Sequence, residues 1–205
     1  MLIVGITGGI ATGKSTVTAL LAQKGAYLID TDVLAREIVE PGQAAYQKIL
    51  QHFGRDILLH DGQINRKKLG NMVFNDQEKR KLLEQITHPE IRRLMYKHLQ
   101  TAKRQGVPIV VVEIPLLFET DFYKDVDLTV VVAAAAEQQL SRLMAREDLS
   151  KEQAQKRLAA QMPLEKKIKL ADFVIDNGGT IAETKRQVEK LWQRLLQESV
   201  NDQDY

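Results

Sequence analysis

Leu2-Ile3-Val4-Gly5-Ile6-Thr7-Gly8-Gly9-Ile10-Ala11-Thr12-Gly13-Lys14-Ser15-Thr16 opens the chain, and its reading decides the fold. Leu2–Thr7 is a continuous apolar run, as expected of a strand covered on both faces. Gly8–Ser15 then satisfies G-x-x-x-x-G-K-[ST] in full, directly after that run and at the start of a helical pattern over Ser15–Lys24. Glycines in this pattern let successive backbone N–H groups turn inward on phosphate oxygens, and the helix N-terminus adds partial positive charge. Gly8, Gly9, Ala11, Thr12, Gly13, Lys14, Ser15 and Thr16 are therefore the expected nucleotide-binding residues. Lys14 is placed to reach the β- and γ-phosphates, and the Ser15 hydroxyl to ligate Mg2+.

Outward from this motif, four more short apolar runs read as strands: Ala26–Asp30, Val107–Glu113, Leu128–Ala133 and Phe173–Asp176. Helical patterns over Glu137–Glu147 and Ile181–Gln197 alternate with them, which predicts a doubly wound α/β fold with right-handed crossovers. Two connections are too long for simple crossovers. The segment 32–105 is mostly helical and is expected to form a substrate-binding lobe. The segment 142–170, rich in Arg, Lys and Gln, is expected to form a mobile helical flap. The core would then comprise about 1–31, 106–141 and 171–197 of one 205-residue domain, with the charged end Glu198–Tyr205 frayed.

Composition narrows the chemistry. The 205 residues contain no cysteine, so disulfides, thiolate nucleophiles, Cys-ligated zinc and iron–sulfur clusters are excluded. A formal net charge of +2 argues against a dominant nucleic-acid-binding face. No apolar run approaches the roughly 20 residues that span a bilayer, and the apolar N-terminus lacks the basic flank of a signal peptide. The expectation is a soluble cytoplasmic protein, monomeric or weakly self-associating, with small-molecule partners, no nucleic acid and no membrane.

The phosphate loop alone leaves three classes open: a kinase, a regulatory GTPase and a motor or ATPase. A GTPase calls for N-K-x-D after a later strand, and Asn177 is followed by Gly178. The run Val110-Val111-Val112 ends in Glu113 rather than the aspartate of a motor ATPase. A small α/β chain with an Arg-bearing insertion fits a small-molecule kinase, whose flap keeps water from the γ-phosphoryl group. Asp30-Thr31-Asp32 ends the second predicted strand, at the sheet edge where parallel α/β folds bind ligands. Side chains alternate along an extended segment, so Asp30 and Asp32 are expected to point the same way. One could accept the proton of an attacking hydroxyl; alternatively, Asp32 is simply the N-cap of the following helix.

Taken in order, these segments resemble the dephospho-coenzyme A kinase family. The match includes the Gly5-Ile6-Thr7-Gly8-Gly9 lead-in, Asp30-Thr31-Asp32 with Ala35-Arg36, and Asp61-Gly62-Gln63-Ile64-Asn65-Arg66. It continues through Val73-Phe74, Thr87-His88-Pro89, Pro115-Leu116-Leu117-Phe118-Glu119, Gln139 to Arg146, and Ala171 to Gly178. The resemblance implies transfer of the ATP γ-phosphoryl group to the ribose 3′-hydroxyl of dephospho-coenzyme A, with Mg2+. It also implies a P-loop NTPase-type three-layer fold with a five-stranded parallel sheet, a helical coenzyme-A-binding lobe and a lid. Asp32 would then be the base or orienting carboxylate, Lys14 and Arg142 the groups on the phosphates, and Arg36, Arg66 and His88 the substrate side. Glu113 stands where Asp or Glu is expected and takes a substrate-orienting role, its longer side chain leaving direct metal contact open. The alternative is another small-metabolite kinase of this architecture, acting on a nucleoside, nucleotide or sugar acid, or more distantly a nucleotide-dependent ATPase or switch.

Several residues carry plainer readings. His88 precedes Pro89, which predicts a helix start there and makes a cap or packing role as good as substrate contact. His52, His60 and His98 show no metal spacing. Arg146 lies i+4 from Arg142 and could equally face solvent beside Glu147. Lys166, Lys167 and Lys169 read as solvated charge, and Leu116, Leu117 and Phe118 as packing.

Overall fold

The computed structural model describes residues 1–74 and 76–201. One sheet holds five parallel strands, β1 (Leu2–Gly8), β2 (Tyr27–Asp30), β3 (Ile109–Glu113), β4 (Leu128–Ala133) and β5 (Phe173–Asp176), in the order β2-β3-β1-β4-β5. All five are the apolar runs read from the sequence. β3 begins two residues later than expected because Pro108 has no N–H for the ladder; its carbonyl instead accepts the Leu2 N–H at 2.9 Å. Ala26 closes the preceding helix, donating to Leu21 O at 3.1 Å, so β2 starts one residue later too.

The helices are α1 (Lys14–Gln23), α2 (Thr31–Glu37), α3 (Ala44–Phe53), α4 (Arg66–Phe74), α5 (Gln77–Arg104), α6 (Ala136–Glu147), α7 (Lys151–Ala159), α8 (Leu164–Leu170) and α9 (Ile181–Asn201). The chain divides into two compact units, Met1–Asp30 with the chain from Thr101 onward, and Thr31–Gln100. None of the described helices is long and apolar enough to cross a membrane.

In the first unit, Val4, Ile6, Val111, Val130 and Val132 of the sheet meet Val17 and Leu21 of α1 and Val188, Leu191, Trp192 and Leu195 of α9. The alternate residues Val110, Val112 and Val131 are buried as well, and α8 packs against β4. Cover on both faces is why the strands read as unbroken apolar runs. α9 starts on a reciprocal cap: the Thr180 N–H and hydroxyl donate to Glu183 at 2.7 and 2.9 Å, and the Glu183 N–H donates back to Thr180 Oγ1 at 3.3 Å. It also runs past the predicted Gln197 to Asn201, with Ser199 buried and donating to Leu196 O at 2.9 Å. The expected fraying therefore does not hold for Glu198–Val200; residues 202–205 lie outside the described residues.

In the second unit, α3 and α4 both pack on a short 3-10 turn at Arg55–Ile57. The Asp61-Gly62 block is a tight reversal. Leu59 N–H donates to Gln63 O at 2.8 Å, Gly62 adopts φ 82°, and the Tyr46 hydroxyl donates to Gly62 O at 2.7 Å. Asn65 then accepts the Lys68 N–H at 3.0 Å, which caps the first turn of α4. Pro89 lies inside α5 rather than at a helix start. Its missing N–H costs one intrahelical bond, which the rest of this 28-residue helix outweighs.

Candidate active site

The phosphate loop joins β1 to α1. Ala11 and Gly13 both take positive φ, 58° and 87°, which turns the loop back on itself, and Gly13 sits at the N-cap of α1. A side chain at Gly13 would be strained and would run into the Asn177 carboxamide. Thr12 is fully buried, and its hydroxyl donates to Gly9 O at 3.0 Å, locking the turn. Lys14 Nζ donates to the same carbonyl at 3.4 Å, so the ammonium lies over the loop it is expected to serve. Thr16 N–H donates to Gly13 O at 3.0 Å, while the Ser15 side chain is exposed on the first turn. The positive end of α1 and these inward groups suit a polyphosphate.

Asn177, just after β5, ties this loop to two neighbours. Its Nδ2 donates to Thr12 O at 2.8 Å, and its Oδ1 accepts the Thr184 hydroxyl of α9 at 2.9 Å. Its backbone carbonyl accepts Arg142 Nη2 of α6 at 3.1 Å. Arg142 thus belongs to a continuous helix and already sits beside the loop, whereas Arg146, one turn on, pairs with Glu147 at 2.6 Å. Positions 141 and 142 are consecutive residues of α6, so the flap boundary drawn there from sequence falls inside a helix that ends at Glu147. Gln139, buried under the loop, donates to Ala134 O at 2.9 Å, and its Oε1 occupies the space a side chain at Gly9 would need.

Glu113 ends β3 in register with Ile6 of β1 and Asp30 of β2. Thr18 Oγ1 of α1 lies 3.3 Å from Glu113 Oε2 and 3.2 Å from Ser15 O, so Ser15 and Glu113 meet at this hydroxyl. Among the described residues, no cluster of three or more His, Asp or Glu could hold a metal by itself. Mg2+ does not require one, since it keeps several waters and takes one or two protein oxygens plus substrate phosphates. The hydroxyl of Ser15 and the carboxylate of Glu113 are hard oxygen donors that fit such an ion.

The remaining predicted site residues lie in the second unit. Asp32 is exposed in the first turn of α2, which starts at Thr31, directly after β2. Because the helix begins there, strand alternation stops at Asp30, and the expectation that Asp30 and Asp32 point the same way is overturned. Asp32 is also within the helix rather than its N-cap; a first-turn carboxylate suits the helix dipole. Arg36 ends α2 and Arg66 opens α4, both exposed. His88 is half-buried in the middle of α5, not at a helix start.

Sequence reasoning missed the buried role of Lys167. The expectation of solvated charge at Lys167 does not hold: its side chain is 0% exposed. Its ammonium pairs with Glu119 at 2.8 Å and donates to Pro115 O at 3.1 Å. The apolar stripe Leu164, Ile168 and Ala171 carries the signal, because position 167 falls on that same helix face. Leu117 is fully buried, as packing predicts, while Leu116 is exposed.

Comparisons with known proteins bear on this arrangement. The sequence profile of the dephospho-CoA kinase family matches residues 2–183. A dephospho-CoA kinase of Carboxydothermus hydrogenoformans is 48% identical over 192 residues, covering 94% of this chain and 93% of that one. One from Bacillus cereus is 48% identical over 187 residues, covering 91% and 94%. Among solved structures, a protein from Thermus thermophilus superposes with a TM-score of 0.82 at 39% identity, covering 93% of this chain and 95% of that one. A dephospho-CoA kinase from Campylobacter jejuni gives 0.69 at 34% identity, covering 94% and 96%.

Proposed function

The chain belongs to the dephospho-CoA kinase family, and from that premise we propose how its residues divide the work of the reaction. The enzyme transfers the γ-phosphoryl group of ATP to the 3′-hydroxyl of the dephospho-coenzyme A ribose, the last step of coenzyme A synthesis. A new bond forms between the ribose oxygen and the γ-phosphorus. The bond from that phosphorus to the β,γ-bridging oxygen breaks, and ADP leaves.

The phosphate loop, residues 8–16, holds the triphosphate through its backbone N–H groups, with Lys14 on the β- and γ-phosphates. Arg142 lends a planar guanidinium to the charge that builds on the equatorial γ-oxygens. Asp32 accepts the hydroxyl proton or orients that hydroxyl, and Arg36, Arg66 and His88 hold the acceptor. Ser15 would hold Mg2+ through its hydroxyl, with the Glu113 carboxylate as a second candidate oxygen, and the ion would supply neutralising charge to the phosphates. The segment 142–170 covers the nucleotide during transfer and keeps water out. The cytoplasm, where ATP is made and used, is the proposed location.

One observation carries this reading: Asn177 binds the phosphate loop through its side chain and Arg142 through its carbonyl, so loop and guanidinium are held as one unit. The test incubates the protein with Mg·ATP and a panel of dephospho-coenzyme A, nucleosides, nucleotides and sugar acids, following ADP and phosphorylated product. ADP release should require dephospho-coenzyme A and match coenzyme A formed. Release at one rate whatever the acceptor would overturn the reading.

A further inference from the structure

Among the described residues, the roles above leave one fully buried charge unused. Lys167 of α8 is 0% exposed, and its ammonium meets the turn that follows β3, at Pro115 O (3.1 Å) and Glu119 Oε1 (2.8 Å). The same Glu119 oxygen accepts the Met162 N–H at 3.1 Å, just ahead of α8. The Pro115 carbonyl accepts a second donor as well, the hydroxyl of Thr7 at 3.0 Å. Thr7 is itself buried and stands one residue before Gly8, where the phosphate loop begins.

These contacts make the 113–119 turn a junction. Glu113 at its start touches α1 through Thr18, Pro115 touches the strand that carries the phosphate loop, and Glu119 touches the connection between α7 and α8. An apolar side chain could fill the space of Lys167 without desolvating an ammonium, so packing alone gives no reason for a lysine here. What the ammonium adds is direction, because it aims one carbonyl and one carboxylate of the same turn.

We propose that Lys167 is a positioning residue for phosphoryl transfer, which with Glu119 as counter-charge holds the 113–119 turn in register with the phosphate-loop strand. It acts through Pro115 and Thr7 on the loop, and through Glu119 on the end of the 142–170 segment. The inference rests on the kinase reading and deepens it. Loss of this anchor leaves ATP bound but the γ-phosphoryl group less well aimed at the ribose oxygen. Transfer then slows, and water takes a share of turnovers: a water oxygen bonds to the γ-phosphorus, the bond to the bridging oxygen breaks, and ADP, inorganic phosphate and a proton are released.

The test compares the full chain with Lys167→Met, Lys167→Arg and Glu119→Gln under Mg·ATP and dephospho-coenzyme A, measuring ADP and coenzyme A together, with circular dichroism checking the fold at assay temperature. Lys167→Met should lower kcat by about 10- to 100-fold, the scale of a small misplacement. KM for ATP should stay nearly constant, and ADP per coenzyme A should rise above one. Lys167→Arg should recover part of the loss. A folded Lys167→Met protein with unchanged kcat and one ADP per coenzyme A would overturn the proposal, leaving Lys167 a structural residue only. If Lys167→Met is unfolded, Glu119→Gln decides: it keeps the acceptor oxygen and removes the charge, so it must lower kcat and raise the ADP ratio, and wild-type values would refute the idea. A wild-type protein that fails to phosphorylate dephospho-coenzyme A would instead overturn the kinase reading itself.

Discussion

A single carboxamide organises the nucleotide end of the molecule. Asn177 reaches the loop carbonyl of Thr12, accepts from Thr184, and leaves its own carbonyl for Arg142, so three elements converge on one side chain and its peptide. The proposed mechanism puts the chemistry at the acceptor end on another single residue, Asp32. Asp32→Asn keeps the shape but removes the basicity, so kcat should fall by about 100-fold or more while ATP binding changes little, the range expected for a lost general base. Steady-state kinetics with calorimetric ATP titration checks this, and an equal loss of ATP affinity would shift Asp32 to a metal role. At this scale the sequence was legible where a residue type and a local pattern coincide, as at Gly13, whose left-handed backbone opens α1 as the glycine pattern requires. It was illegible where a side chain's environment comes from distant chain: nothing local to Lys167 reveals the carboxylate of Glu119 or the carbonyl of Pro115.

Elements were read well where both ends carry signals, and poorly where one signal pointed the wrong way. The continuous valine run of β3 and the glycine-bounded β1 were visible from apolar content alone. Pro89 was not a helix start, because the residues on either side of it propagate α5 at the cost of one missing bond. Asp32 was misdirected for a similar reason: α2 follows β2 with no intervening residue, so extended geometry could not be carried past Asp30. Between α6 and α7, Glu147 offers an element-scale prediction. The Arg146 guanidinium first, with Arg157 also contributing, holds its carboxyl below the usual 4.5, against the upward push of desolvation. A carboxyl with a lowered folded pKa adds stability that is complete above 4.5 and is lost as pH falls through the folded value. Hydrogen exchange of α7 should therefore quicken as pH drops below about 4.5 after correction for intrinsic rates. Glu147→Gln should show weaker protection at neutral pH and a flatter acid response; an acid response identical to wild type would remove Glu147 as its cause.

For the whole molecule, the division into two units makes ligand effects separable. The phosphate loop, Arg142, Asn177 and Glu113 all belong to the unit of Met1–Asp30 and the chain from Thr101 on, while Asp32, Arg36, Arg66 and His88 belong to Thr31–Gln100. A ligand stabilises what it binds, by about 2.7 kcal/mol at one hundred times its Kd. Mg·ATP alone should raise hydrogen-exchange protection in β1, α1 and the turn after β5, and leave α3 and α4 near their starting values. Dephospho-coenzyme A alone should do the reverse. Lys14→Ala should abolish the first response and keep the second; a Lys14→Ala protein still protected by Mg·ATP would remove Lys14 from the triphosphate site.

The strand order also governs how the protein is made. Among the described residues, β1 pairs with β3 and β4, and β2 with β3. Roughly 80 residues of chain separate Asp30 from Ile109, about 4 to 16 s of ribosomal synthesis at about 5–20 residues per second. Through that interval the strand that leads into the phosphate loop has no partner with which to complete a ladder, and once outside the ribosome its apolar edge is open to other chains. The strand that leads into the phosphate loop is thus made well before the partners that secure it.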